Sequence, residues 1–448
     1  MNKRDFLKTT GAFFASSLLP SIGSGQTATE HRTNWAGNYT FHTDNLLQPK
    51  TVEDVQKAVV RCNKLKALGS RHSFNGIADS TQNQISLKAL DAMKVDKEAR
   101  TVTVGSGVTY GQLCPWLDAQ GYALHNLASL PHISVAGACA TGTHGSGPRN
   151  GNLSTAVAGL ELVMADGKII TLSRQKDGDR FLGCVVNLGG LGILTSVTLN
   201  VEPTFQMKQV VYENLSMDEL EHNMDTIFAS GYSTSLFTDW QNHRITQVWI
   251  KSRVQAGDSS TLAPQFHGAT LQTQKLHPVA GHSAESCTEQ FGVPGPWYER
   301  MPHFKMNFTP SSGQEIQSEY FVPREHGYQA MLAVEQLRDH ITPHLYITEL
   351  RTVAADDLWM SQAYKRDSMT IHFTFKPETD AVNQVLPLIE AKLARFDARP
   401  HWAKVFTMAP ARLQSLYTQL PTFRQLLQQH DPGGKFRNEY LDRNIFTA

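Results

Sequence analysis

Several common catalytic signatures are missing from this 448-residue chain, and each absence removes a chemistry. There is no HExxH pair, no GxSxG nucleophile elbow and no phosphate-loop lysine, so hydrolase and NTPase readings have no residues to rest on. The five cysteines, Cys62, Cys114, Cys139, Cys184 and Cys287, are odd in number, widely spaced and free of any CxxC pair. They read as single buried thiols, with no metal-ligand spacing. Net charge is lacking too: 41 Lys+Arg balance 41 Asp+Glu, which leaves no basic field to attract nucleic acid or anionic lipid. No internal repeat and no long low-complexity run is present. With 40% hydrophobic and 18% charged residues the composition is that of a folded globular protein, and the length predicts two large or three small domains.

The N-terminus stands apart. Met1 to Lys8 resembles a twin-arginine export signal with Lys3-Arg4 in place of the usual arginine pair, followed by the apolar run Gly11 to Leu19 and small residues through Gly25. That run is too short to span a bilayer. The expectation is a periplasmic protein whose residues 1–28 are a signal; a frayed amphipathic segment on a cytoplasmic protein is the alternative.

Lys66 to Asn75 is the stretch that organises the rest. Ala67 and Leu68 end a strand, and Gly69, Ser70 and Ser73 then expose backbone N–H groups around one imidazole, His72. Such a loop can grip a diphosphate. An ordinary solvated turn has the same composition, so the surrounding chain must decide. Thr51 to Asp54 fits a capping box, and Val52, Val55, Ala58, Val59 and Cys62 fall on one helical face just before the loop. Strands follow at Ile85 to Leu87 and Arg100 to Val104.

Gly105 to Gly111, between that strand and a helix over Tyr110 to Gln120, invites a nicotinamide-binding reading. The spacing argues against it: Tyr110 stands where the third glycine belongs, and no acidic residue about twenty positions on ends a second parallel strand. A strand-turn-helix connection is the better reading. The glycine-dense segment Ala128 to Gly147 lets backbone approach a flat ligand, with Ser134, Thr141 and Thr143 as small hydroxyl donors; a tightly packed Gly/Ala helix is the alternative. Leu160 to Leu172 reads as a hairpin closed by Asp166-Gly167, and Leu194 to Val201 as a strand ended by Pro203. From about Thr204 the elements become longer and richer in aromatics and methionine.

Three late segments read as strands: Tyr346 to Thr352, Met369 to Phe375 and Trp402 to Phe406. Period two puts Glu349 with Arg351 and His372 with Thr374, while Lys404 stands among apolar neighbours. If the strands are adjacent, one sheet face carries Glu, Arg, His, Thr and Lys, either as the polar floor of a pocket or as a solvated face of ion pairs.

Gly69 to Ser73 resembles the pyrophosphate loop of the vanillyl-alcohol-oxidase type of FAD-dependent oxidoreductases. With Asn34 to Asn38, Ala128 to Gly147, Phe237 to Trp240, Cys287 to Trp297, Ser318 to Tyr320, Arg351 to Asp356, His401 to Thr407 and Asp431 to Phe436, the likeness extends over nearly the whole chain and is to the alditol oxidases. It implies an α+β, two-domain FAD-binding fold of the vanillyl-alcohol-oxidase (PCMH) type: an FAD domain over 29–202, an inserted antiparallel-sheet substrate domain over 203–404, and a return to the first domain over 405–448. It further implies that His72 tethers FAD covalently, and that Ala67, Leu68, Gly69, Ser70, Arg71, His72, Ser73, Ser129, Ser134, Gly137, Thr141, Gly142, Thr143, His144, Ile193 and His401 line the cofactor. Ser129, Glu349, Arg351, His372, Thr374 and Lys404 would contact a polyol such as xylitol or sorbitol.

The resemblance departs at Arg71, where glycine is expected. A positive φ there would strain the loop by about 1 kcal/mol or more, unless the guanidinium serves to reach a phosphate. Oxidation at the terminal carbon needs a base for the hydroxyl proton, Lys404 or His372, and Arg351 suits stabilisation of negative charge on reduced flavin. The partners implied are a small polyol and O2, giving an aldose and hydrogen peroxide, with no nucleic acid, no metal, no membrane span and a monomeric state. An aldonolactone dehydrogenase of the same fold, handing electrons to a cytochrome or quinone, and a carbohydrate-binding module without turnover are the rival readings.

Overall fold

The computed structural model describes residues 31–255, 262–308 and 314–447. The export signal expected over residues 1–28 lies outside these. Within them, the capping box predicts the first helix well: Thr51 caps Val52–Arg61 and its side chain accepts from the Asp54 N–H. Val55, Ala58 and Val59 form the buried face. The helix packs beside a small parallel sheet ordered Leu46–Leu47, Gln84–Ile85, Lys66–Ala67.

A five-stranded sheet follows in the order Met93–Asp96, Thr101–Gly105, Ile193–Asn200, Val157–Val163, Ile169–Ser173. Every pairing in it is antiparallel. This disposes of nicotinamide binding at Gly105 to Gly111, because that site needs a parallel strand-helix-strand unit. Helix Tyr110–Ala119 starts instead with the Thr109 N–H donating 2.9 Å to the Gln112 side chain. The hairpin turn forms as read, with Gly167 at φ +83° and the Lys168 N–H donating to Asp166.

The larger sheet is antiparallel and ordered Gln265–Phe266, Ala269–Leu271, Gln206–Ser216, Arg244–Arg253, Ser233–Thr238, Leu345–Val353, Ser368–Phe375, Ile316–Pro323, Arg399–Pro400. Helices Met217–Phe228, Gly327–Glu335 and Thr379–Leu393 cover one face, burying Leu236, Leu350, Ile371 and Phe373 in a continuous apolar cluster. The opposite face carries the polar residues considered below. Two of the late strands are adjacent as expected, but Trp402 to Phe406 is not a strand. The chain turns there, with Lys404 N–H bonded to His401 C=O at 3.0 Å, and the strand beside Ser368–Phe375 is Ile316–Pro323. Trp402 is held away from any sheet by its Nε1–H bond to Met360 C=O and its contact with Tyr417.

The end of the chain returns to the beginning. Leu413, Tyr417, Phe423, Leu427 and Ile445 pack in the same cluster as Val102 and Leu160 of the five-stranded sheet and Leu113 of helix Tyr110–Ala119. Lys435 Nζ donates to the carbonyls of Val59 and Ala165, and Asp431 accepts from the N–H groups of Lys435 and Phe436. All five cysteines are buried and free.

Phe373 is fully buried between Phe375 and Trp240. Phe373→Ala is expected to cost about 3 to 5 kcal/mol, read as a lowered urea midpoint with the slope unchanged.

Candidate active site

Where the small parallel sheet ends, the chain stops bonding to itself. Leu68 N–H still reaches Ile85 C=O at 2.9 Å, and Phe74 N–H reaches Ala403 C=O at 2.8 Å. Between them the five N–H groups of Gly69 to Ser73 find no acceptor among the described residues. Five consecutive free donors at the wall of a cavity form a nest for an anion. The nest is braced from outside: Trp35 N–H donates to Arg71 C=O, and the Asn34 and Asn38 side chains donate to Ser73 C=O and Phe74 C=O. On its inner side a Cβ on Gly69 would stand 2.7 Å from Ser134 Oγ at the start of helix Val135–Thr141, which shows how closely loop and helix approach.

Arg71 has φ +63°, the strained geometry the sequence raised as a question. Its Nη1 donates to Thr33 C=O at 3.3 Å on the outside of the loop. His72 sits against the Trp35 ring, 4.7 Å between centroids, with His132 Nε2 3.3 Å from its Nδ1. Burial, with Lys404 and His132 beside it, holds the His72 imidazole well below its usual range, so it is neutral. A neutral imidazole has a lone pair to offer.

The polar face of the large sheet closes the other side. The strand register places Glu319, His372 and Glu349 in one row across three strands, with Arg351 two residues beyond Glu349 and Thr374 two beyond His372. Arg351 Nη2 donates to Glu319 Oε1 at 2.7 Å, and its Nε lies 3.6 Å from Glu349 Oε2 without a hydrogen-bond acceptor of its own. His144 Nε2 stands 3.0 Å from Glu319 Oε1. His372 Nδ1 is 3.3 Å from Glu319 Oε2 but not aligned for a hydrogen bond. Burial alone would raise both carboxyls. His144, Arg351 and His372 outweigh it at Glu319, and Arg351 and His303 at Glu349, so both are held well below the usual carboxylate range. Lys404 Nζ donates to Gln317 Oε1 and lies 4.7 Å from the Phe74 ring centroid. Burial, helped by Arg351 against the pull of Glu319 and Glu315, brings its ammonium down to about 8.

These two walls enclose one cavity of about 1380 Å³. It brings together Ala67 to Ser73, Ser129, Ser134, Gly137, Thr141, Thr143, His144, Glu349, Arg351, His372, Thr374, His401 and Lys404. Two expected residues do not line it. Gly142 caps helix Val135–Thr141 at φ +68°, facing Gln362, and Ile193 is buried in the apolar cluster under Val52–Arg61. Glu319, buried at one end of the charged row, escaped the reading of the sequence, as did His303 and Lys251. The clue to Glu319 was available: it alternates with Gln317 on its strand as Glu349 does with Arg351.

An anion nest on one wall, apolar and small-residue lining between, and a charged floor on the other define the site of a dinucleotide-dependent oxidoreductase. The unpaired N–H groups and the close approach of Gly69 to Ser134 fit FAD. Comparisons with known proteins agree. Residues 43–173 match the family "FAD binding domain" and residues 300–444 the family "D-arabinono-1,4-lactone oxidase". An alditol oxidase of a Streptomyces species is 46% identical over 414 residues, covering 91% of this chain and 97% of that one. An L-gulonolactone oxidase of Mus musculus is 26% identical, covering 92% and 98%. Among solved structures, a cholesterol oxidase of Brevibacterium sterolicum superposes with a TM-score of 0.74 at 15% identity, covering 92% of this chain and 96% of that one. A glucooligosaccharide oxidase of Acremonium strictum, which carries a 6-S-cysteinyl, 8α-N1-histidyl FAD, has a TM-score of 0.68 at 14% identity, covering 93% of each. The chain belongs to the alditol oxidase family of vanillyl-alcohol-oxidase type FAD-dependent oxidoreductases.

The geometry at residue 71 gives a test of the loop. Arg71→Gly should match or exceed wild-type stability by about 1 kcal/mol, whereas Arg71→Val should lose at least that much, measured as paired melting temperatures with FAD bound.

Proposed function

We propose that the protein is an FAD-dependent alditol oxidase acting on the terminal hydroxyl of polyols such as xylitol and sorbitol, with O2 reduced to hydrogen peroxide. The observation that carries this reading is the convergence, in one cavity, of the Gly69 to Ser73 nest and the row Glu319, His372, Glu349 with Arg351 and Lys404. The likeness to an alditol oxidase at 46% identity supports the substrate class.

FAD bound in this cavity supplies the two-electron acceptor. Its pyrophosphate would meet the N–H groups of Gly69 to Ser73, and His72, neutral and backed by His132, is the candidate for a covalent tether. The residues of this chain do the rest. Glu349 accepts from substrate hydroxyls, Arg351 and Ser129 donate, and Thr374 does either, which suits a neutral chain bearing a hydroxyl on each carbon. Lys404, with its ammonium lowered to about 8, is the base that takes the reacting hydroxyl's proton at Nζ. His372 is the second candidate; its proton affinity is lowered by burial, with Glu319 pulling the other way. Arg351 keeps one fixed positive charge beside the reacting centre at every working pH.

The second reading, an aldonolactone dehydrogenase, is favoured by one observation. The lactone oxidase family matches residues 300–444, the part that supplies Glu319, Glu349, Arg351, His372 and Lys404. An L-gulono-1,4-lactone dehydrogenase of Mycobacterium tuberculosis is 27% identical, well below the alditol oxidase. We further propose export to the periplasm through residues 1–28, a division into 29–202, 203–404 and 405–448, and a monomeric state. Among the described residues no helix is long and apolar enough to cross a membrane.

Anaerobic bleaching of the flavin by a panel of polyols and sugar lactones, followed by readmission of air, tests the function. Polyols should bleach it and air should restore the colour fast; bleaching by lactones alone, or slow recovery in air, favours the dehydrogenase. In the same assay the reduction rate should rise with pH through about 8, as Lys404 loses its proton, and level off above. Lys404→Met should slow reduction by about a hundredfold or more, and a loss under about tenfold would remove Lys404 from this role. For the tether, His72→Ala should release its flavin on acid precipitation while wild type keeps it in the pellet.

A further inference from the structure

Beside Glu349, two buried basic groups belong to no step described above. His303 Nε2 is 2.8 Å from Glu349 Oε1, and Lys251 Nζ is 3.0 Å from His303 Nδ1. Lys251 is 2% exposed and His303 4%. The imidazole is clamped edge-on between two rings, Trp249 at 5.1 Å and Phe237 at 5.4 Å, and the Lys251 ammonium lies 6.0 Å from the Trp249 ring centroid. Glu349 is ionised and can only accept, so the Nε2 facing it must carry the ring proton. Burial brings the Lys251 ammonium down to about 7, and charged or neutral its Nζ has a proton to give to Nδ1. Burial and the neighbouring Lys251 hold the His303 imidazole down to about 4, so it is neutral at working pH.

Why such a chain should exist is an energetic question. Glu349 sits in a row with Glu319, and each carboxylate needs compensation. Arg351 bonds Glu319 and only approaches Glu349 from 3.6 Å. Lys251 and His303 supply Glu349 with a separate donor line, which binds Oε1 and leaves Oε2 toward Arg351. Strand pairing makes the arrangement rigid. Gln247, Trp249 and Lys251 alternate along Arg244–Arg253, and the register sets Gln247 opposite Phe237 and Phe237 opposite Glu349. The Thr288 N–H bond to His303 C=O, 2.9 Å, fixes the loop that carries the imidazole.

We propose that Lys251 and His303 are positioning residues: Lys251 holds one imidazole in place and the imidazole, through its Nε2–H, fixes the orientation of Glu349 toward substrate hydroxyls. Glu349 draws the ring proton to Nε2, Lys251 occupies Nδ1 and so holds the ring in place, and Glu349 presents one oriented oxygen to the alditol. The inference rests on the alditol reading above.

The test uses the FAD-loaded enzyme with xylitol, recording KM, kcat, flavin content and melting temperature. Lys251→Met leaves Nδ1 without its donor and the imidazole free to swing from the carboxylate, and His303→Leu removes the donor to Glu349. Each should raise KM about tenfold with kcat changed less than about threefold, since a ground-state contact is lost. His303→Gln can donate to Glu349 and accept from Lys251, so it should bring KM back to within about threefold of wild type. An unchanged KM in Lys251→Met, or a His303→Gln as impaired as His303→Leu, overturns the proposal. If His303→Leu fails to fold, Lys251→Met and His303→Gln decide between them. A wild-type flavin that no alditol bleaches overturns both this inference and the function on which it rests. A wild type that responds, with variants that keep its KM, overturns this inference alone.

Discussion

Three hydrogen bonds join parts of the chain more than three hundred residues apart, and the site depends on them. Phe74 N–H reaches Ala403 C=O, and the Asn75 side chain donates to the carbonyls of Trp402 and Lys404, 2.9 and 2.8 Å away. Each bond alone is worth about 1 kcal/mol net, but all three hold the same short turn. That turn carries Lys404 and begins at His401, whose N–H bonds to Glu319 C=O. The stitch therefore sets the nest wall, the lysine and the charged floor in one frame. Were it loosened, each wall would keep its fold and the cavity between them would lose its dimensions.

The charged floor is hard to explain as a stabilising device. Burying Glu319, Glu349 and Arg351 costs several kcal/mol per ion before pairing repays it, and apolar residues of similar volume would serve stability as well or better. The sheet's other face shows that alternative in full, with Leu236, Leu350 and Ile371 packed under helices. Two faces of one sheet thus carry opposite solutions. The polar one is retained where it borders the cavity, and Arg351 Nε and His372 Nδ1 lack hydrogen-bond partners among the described residues. Polar groups left short of partners in residues that line a cavity are what a hydroxylated ligand can help to satisfy.

Much of this was legible in the sequence, for local reasons. The Thr51 cap, the Asp166-Gly167 turn and the free donors of Gly69 to Ser73 all follow from residue types within a few positions of one another. The pairs Glu349 with Arg351 and His372 with Thr374 were legible because period two holds along any strand. What stayed hidden was set at long range. Trp402 to Phe406 alternates like a strand, yet the alternation arises because Trp402 enters one core and Lys404 faces the cavity across a turn. Glu319 was passed over although it alternates with Gln317 as Glu349 does with Arg351; its strand pairs with Ser368–Phe375 from about fifty residues away, and only that register sets it beside His372. Lys251 and His303 lie 52 residues apart, and only the sheet register for the one and a loop bonded to Thr288 for the other bring them to Glu349.

The same long-range placement bears on discrimination between the two substrate classes. An open polyol offers a hydroxyl donor at each carbon, whereas closing a lactone ring replaces a donor with a carbonyl and an ester oxygen that can only accept. Two ionised carboxylates on the floor, Glu319 and Glu349, require donors, and Arg351 and the two histidines meet only part of that demand. A ligand poor in donors would leave Glu349 short of a partner at a cost of about 1 to 3 kcal/mol, whereas a donor-rich chain would fill it. On the proposed function, a preference for an alditol over a lactone would rest on where the negative charge sits in the cavity, which the strand register sets by placing Glu349 opposite His372.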